Sequence, residues 1–250
     1  MISVTAELLI RCSMLALLYG SLFMTEGIAQ QKLPPNTRSG FVVTVDGARI
    51  HYFEAGPKAE SSNGSHLRIE KPERQKRPTI LFIPGWMTPA WIWEYQVAYF
   101  ARNYRVVAMD PRSQGDSSTP ADGHHPAARA RDIKTLADRL KLAPVVLVAS
   151  SISVTDVASY VAQFGTDTVA GLVLVNGIAG REYDLETIRN LLNYANSFQM
   201  DRRSGAERFV RNMYKKPHNE AHIQRMIRAT LKTPTDSALV ATIRAAVVHR

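Results

Sequence analysis

Cysteine is almost absent: Cys12 is the only one in 250 residues. A disulfide framework and a cysteine-ligated zinc centre are therefore excluded. Long apolar runs are missing too. The most apolar stretch, residues 12–23, is shorter than the roughly 20 residues that cross a bilayer. There is no internal repeat, no low-complexity tract and no nucleic-acid-binding motif. The one cation-rich segment, residues 67–77 (LRIEKPERQKR), is interrupted by Glu70 and Glu73 and reads as a solvated loop. What is present is a globular composition, 45% apolar and 21% charged, with a formal net charge of +9. A chain of this length can bury a substantial core without covalent staples.

Residues 1–29 have the layout of a secretory leader: Arg11, then the apolar stretch, then Gly27-Ile28-Ala29. Cleavage after Ala29 is expected, leaving Gln30 first, with no stable membrane anchor and a secreted or periplasmic location. Pro34 and Pro35 mark an extended tether. Residues 41–45 and 48–53 read as a hairpin around Asp46-Gly47. The polar stretch 56–78 reads as an inserted loop containing the sequon Asn63-Gly64-Ser65.

Four apolar runs follow: residues 79–83, 105–109, 144–148 and 171–175, each bounded by turn residues. Such runs fit strands buried on both faces. Between them Ile133, Leu136, Ala137 and Leu140, and then Val154, Val157, Ala158 and Val161, repeat at 0, +3, +4 and +7. That spacing draws one face of a helix. Strands alternating with helices define an α/β, mostly parallel sheet with ligands at the carboxyl ends of its strands. After Gly180 only helical patterns remain, over 183–194, 206–214, 219–231 and 235–249. The expected organisation is a leader (1–29), a core (30–180) and a helical cap (181–250).

The segment Ala149-Ser150-Ser151-Ile152-Ser153 joins an apolar strand to an amphipathic helix. A serine flanked two residues away by small side chains suits a tight strand-to-helix turn that exposes its hydroxyl. Ser151 fits this frame, with Ala149 and Ser153 at the flanks; Ser150 would be flanked by Val148 and Ile152, which are too large. The alternative is that both serines simply cap the helix.

Three motifs then occur in order. They are Ile83-Pro84-Gly85-Trp86 with Trp91 and Trp93 in the helix behind it, Asp110-Pro111-Arg112-Ser113-Gln114-Gly115-Asp116-Ser117, and the Ser151 turn. Together they resemble the α/β-hydrolase superfamily, from about Gly40 onward. The resemblance implies a hydrolase-type sheet with a helical cap, and Ser151 as nucleophile toward an ester or related acyl compound. The family's alkyl-transferring members carry aspartate at that position. It further implies the backbone N–H groups of Trp86 and Ile152 as oxyanion-hole donors, and Trp86 and Trp91 as pocket-lining residues, with Trp93 in the core. A small-molecule substrate is implied, with no cofactor and no metal.

The sequence departs from the pattern in three ways. Pro84 replaces the family's usual histidine, Ala149 and Ser153 replace glycines, and no apolar β-run follows Thr235. The last two strands, which in this family lead to the triad's acid and histidine, are thus expected to be missing. Asn176 stands where some relatives carry an acid. His218 and His222 are expected to share a helix face, and His124 and His125 to sit exposed in a loop. A member without turnover, at most binding small apolar ligands, is the competing reading; a subunit completed by a partner's strand is a third.

Overall fold

The computed structural model describes residues 33–57, 77–177 and 184–237. The leader, the sequon loop, Glu182 and most of the final helical pattern lie outside them.

Among the described residues six strands form one sheet: β1 (Arg38–Val43), β2 (Arg49–Ala55), β3 (Thr79–Ile83), β4 (Val106–Met109), β5 (Val145–Ser150) and β6 (Val169–Val175), in the order β1-β2-β4-β3-β5-β6. β1 and β2 form the expected hairpin. Val43 faces Arg49 across a turn in which Gly47 adopts φ +82°, a conformation open to glycine. β2 joins β4 antiparallel; β4, β3, β5 and β6 run parallel. The chain makes this pattern because TILFI, VVAM and VVLVA are continuous β-favouring apolar runs, and every residue of β3 and β4 is buried.

Helices cover both faces. Ala90–Trp93 forms a 3-10 turn leading into α1 (Glu94–Phe100); α2 (Pro126–Arg139) and α3 (Ser153–Phe164) follow. Alternate strand residues serve the two layers. Ile50, Leu81, Val107 and Leu147 pack against Ile133, Leu136, Val154 and Val157 of α2 and α3. Phe53, Phe82, Ala108 and Val148 pack against Trp93 and Val97. Trp93 is thus a core residue, its ring 5.0 Å from Phe82.

Beyond β6 come α4 (Leu185–Met200), α5 (Arg202–Met213) and α6 (Glu220–Lys232). Their starts are capped by the side chains of Asp184, Asp201 and Asn219, which accept from backbone N–H groups of the first turn. Phe198, Val210, Met226 and Ile227 form an apolar cluster that closes over Trp86 and Met87. Two ion pairs tie α6 to the core: Arg225 to the buried Glu94 at 2.8 Å and Lys232 to Asp116 at 2.7 Å.

Two histidines depart from expectation. His124 is buried, only 5% exposed, with Nε2 2.8 Å from the Ser113 hydroxyl. His125 is half-buried and caps α2, its Nδ1 accepting from the Ala128 N–H. An imidazole with a polar partner tolerates burial, and hydropathy does not reveal that partner.

Candidate active site

The parallel strands end side by side. β3 leads into Pro84, β4 into Asp110, β5 into Ser151 and β6 into Asn176. Ser151 sits on the turn between β5 and α3 with φ +54°, a left-handed conformation that costs a non-glycine residue about 1–2 kcal/mol. The turn is held by the Ser151 N–H donating to the Val175 carbonyl at 2.8 Å and the Val154 N–H donating to the Ser151 carbonyl at 3.1 Å. Ser151 is exposed, and its hydroxyl has no hydrogen-bond partner among the described residues. Neither Ser150 nor Ser151 caps α3 through its side chain; the capping position is Ile152, whose own N–H is likewise without a partner among the described residues. The hydroxyl therefore stands at the positive end of a twelve-residue helix.

The glycines missing from the elbow in sequence are supplied in space. A Cβ on Gly85 would lie 3.0 Å from the Ser151 Cβ, and one on Gly177 would lie 2.7 Å from the Ser151 carbonyl oxygen and 2.1 Å from Val154. Two neighbouring loops thus approach the turn at glycine positions. Ser153 fits because it is fully buried and bonded: its hydroxyl donates to the Pro84 carbonyl at 2.5 Å. Behind it, Arg129 reaches the Ser153 oxygen at 3.4 Å and pairs with Asp156 at 2.8 Å. Burial pushes the Asp156 carboxyl above its ordinary range, against the pull of that guanidinium.

The structure brings Gly85 and Ser151 together and stacks Trp86 beneath the cap, edge-on to Phe198 at 5.8 Å and Phe209 at 5.6 Å. Trp91 packs against the same apolar cluster of the cap. The Arg225 guanidinium covers its ring at 3.7 Å, His222 meets it edge-on, and the ring lines a separate cleft of about 450 Å³. His218 and His222 do share a face, stacked at 5.2 Å, with His222 Nε2 2.8 Å from the Tyr214 hydroxyl. Burial lowers both imidazole pKa values, and for His222 the neighbouring His218 adds to it.

The same cleft contains His51, Asp110 and Asp116, whose nitrogen and carboxylate oxygens lie within 4.8 Å of one another. Much of their capacity is already engaged within the protein. Asp110 accepts from the Ala90 N–H at 2.5 Å, the Asp116 N–H at 3.0 Å and His51 Nδ1 at 2.7 Å, and Asp116 holds Lys232. The group braces the loops after β3 and β4 against β2 and α6. His51 also lies too far from Ser151 to take its proton. Three strand spacings separate β2 from β5, about 14 Å.

A parallel sheet with a strained, solvent-facing serine turn at its carboxyl edge, a glycine loop against it and helices above defines a hydrolase-type α/β protein. The chain belongs to the alpha/beta hydrolase fold family, whose model matches residues 78–215. A bifunctional esterase/perhydrolase of Acinetobacter calcoaceticus is 31% identical over 140 residues, 56% of this chain and 45% of that protein. A non-heme chloroperoxidase of Streptomyces lividans is 33% identical over the same shares. The matched region thus spans less than half the length of these curated relatives. Among solved structures, an esterase from Exiguobacterium antarcticum superposes with TM-score 0.71 at 21% identity, over 82% of this chain and 72% of that one. A bromoperoxidase from Bacillus anthracis gives 0.68 at 19%, over 84% and 74%.

Proposed function

We propose that Ser151 is the nucleophile of a hydrolase acting on an ester or related acyl compound. The observation that carries this reading is the Ser151 hydroxyl itself, exposed and without a hydrogen-bond partner among the described residues, on a left-handed turn at a helix N-terminus. Natural folds retain such strain where the surrounding structure fixes it for a purpose. In the reaction, Ser151 Oγ bonds to the acyl carbon as the hydroxyl proton passes to a base. The carbonyl oxygen becomes an oxyanion facing the N–H groups of Trp86 and Ile152. The carbon–oxygen bond to the alcohol then breaks, and the alcohol leaves with a proton. Water repeats the attack on the acyl-serine and releases the acid.

A second reading, a family member that binds small apolar ligands without turnover, is favoured by one observation. Among the described residues, no base is hydrogen-bonded to the Ser151 hydroxyl. Loss of a triad member leaves roughly 10³- to 10⁴-fold acceleration over water, from the oxyanion hole and binding. One experiment separates the readings. The purified chain is treated with a fluorophosphonate and, separately, with an activated ester. Slow covalent labelling of the peptide containing Ser151, lost in Ser151→Ala, supports the nucleophile; sustained ester turnover lost in the same variant adds a working base. Labelling elsewhere, or activity that survives Ser151→Ala, overturns the assignment. We further infer export through residues 1–29; exported protein whose sequence begins at Met1 rather than Gln30 refutes it.

A further inference from the structure

We propose that Gln114 is the positioning residue of the oxyanion hole, holding the Gly85 carbonyl so that the Trp86 N–H faces Ser151; this rests on reading Ser151 as the nucleophile. Gln114 lies in the loop after β4, is 3% exposed, and directs its whole amide at the loop after β3. Its Oε1 accepts from the Met87 N–H at 2.9 Å, and its Nε2 donates to the carbonyls of Gly85 and Thr88, both at 3.0 Å. The amide orientation is fixed by chemistry: flipped, its NH₂ would confront an N–H and its oxygen two carbonyls.

The consequence for Trp86 follows from peptide geometry. In a planar trans peptide the carbonyl and the N–H point in opposite directions. The Gly85–Trp86 peptide is trans, since the only cis bond among the described residues precedes Pro144. Pinning the Gly85 oxygen toward Gln114 therefore aims the Trp86 N–H the other way. Gly85 is also the residue that meets the elbow, its hypothetical Cβ being 3.0 Å from the Ser151 Cβ. The Gly85 carbonyl also accepts from the Thr88 hydroxyl at 3.0 Å and the Thr88 N–H at 3.4 Å, but Thr88 belongs to the same turn and travels with it. Gln114 is the contact from outside. Ser153 supplies a matching tie one peptide earlier, at the Pro84 carbonyl. A carbonyl turned toward the developing oxyanion would repel it, so a brace that keeps these oxygens averted acts on the transition state.

The test is the concentration dependence of fluorophosphonate labelling, which separates the binding constant KI from the rate constant kinact. As the Ser151 Oγ–phosphorus bond forms and fluoride leaves, the phosphoryl oxygen gathers charge as an acyl oxygen would. Gln114→Met, similar in volume and without hydrogen bonds, is expected to lower kinact about 10- to 100-fold with KI unchanged. Gln114→Asn, one methylene too short to span its three partners, gives a smaller drop of the same kind and serves if the methionine variant does not fold. A residue that only stabilised the fold would reduce the fraction of protein labelled and leave kinact of the folded remainder alone. That result overturns the proposal. Wild-type protein that is never labelled at Ser151 overturns the nucleophile reading itself, a distinguishable failure.

Discussion

The ends of β4 and β5 lie two strands apart on one edge of one sheet, and they treat their polar groups in opposite ways. After β4, residues 110–117 are saturated. Asp110 takes three donors, Gln114 has three partners, and the Ser117 hydroxyl donates to the Asp110 carbonyl while accepting from the His51 N–H. Arg112 is buried in a bidentate pair with Asp132, at 2.7 and 2.5 Å, and also reaches Asp46 at 2.9 Å. After β5, Ser151 offers a hydroxyl that nothing in the described residues engages, on a backbone that would relax with glycine. Polar groups bonded within the protein hold these loops in place; an exposed hydroxyl on a strained turn at a strand end is the feature on which the proposed nucleophile role rests.

The comparison breaks first at its strongest point. Asp132→Ala leaves the Arg112 guanidinium buried with only the half-exposed Asp46 and the Asp122 carbonyl to hold it. Removing one partner of a buried pair is costly, so a loss of about 3 kcal/mol is expected in urea unfolding. A loss below about 1 kcal/mol would mean that the loop after β4 is not the scaffold its bonds suggest.

The opposite sign is expected at the elbow. Ser151→Gly relieves the left-handed strain, less the extra flexibility that glycine gives the unfolded chain. A gain of about 0.5–1 kcal/mol should accompany complete loss of labelling at this position. Destabilisation would show that Ser151 is part of the scaffold after all.

Much of this architecture was legible in the sequence because it depends on side-chain pattern. The six strands fall within a few residues of the apolar runs and hairpin, and Ser151 was separable from Ser150 because large flanking side chains do not fit a tight turn. β1 begins earlier than its apolar run, at Arg38, because backbone pairing to Glu54 and Phe53 carries polar residues into the strand. β6 reads as doubly buried, yet Leu174 is 49% exposed, β6 being the outermost strand among the described residues. The braces were not legible. Gln114 bonds to backbone atoms nearly thirty residues away, Ser153 to one 69 residues away, and no side-chain pattern encodes a partner that is main chain. What covers Trp91 was hidden for a related reason: its ring does line a cleft, but the guanidinium laid over it comes from Arg225, more than 130 residues later.

The smallest expected effect concerns a region between these extremes, where α6 meets the core. His222 is partly satisfied: its Nε2 meets the Tyr214 hydroxyl, and its ring packs on His218 and Trp91. Burial lowers its pKa from 6.5, His218 and Arg225 lower it further, and Glu94 opposes them; burial alone lowers that of His218. The unfolded chain therefore binds these protons more readily than the folded one. The two histidines contribute their stabilisation fully above about pH 6.5, and it is lost as pH falls from there toward the depressed folded values. Both rings are partly solvated, so the effect is modest. The urea midpoint of the wild-type chain should fall between pH 7.5 and pH 5.5, and the double variant His218→Gln/His222→Gln should fall less over the same interval. Equal slopes would place the pH dependence elsewhere. A wild-type midpoint that rises on acidification would mean that the folded protein gains protons at some other group, whose raised pKa outweighs the two depressed histidines.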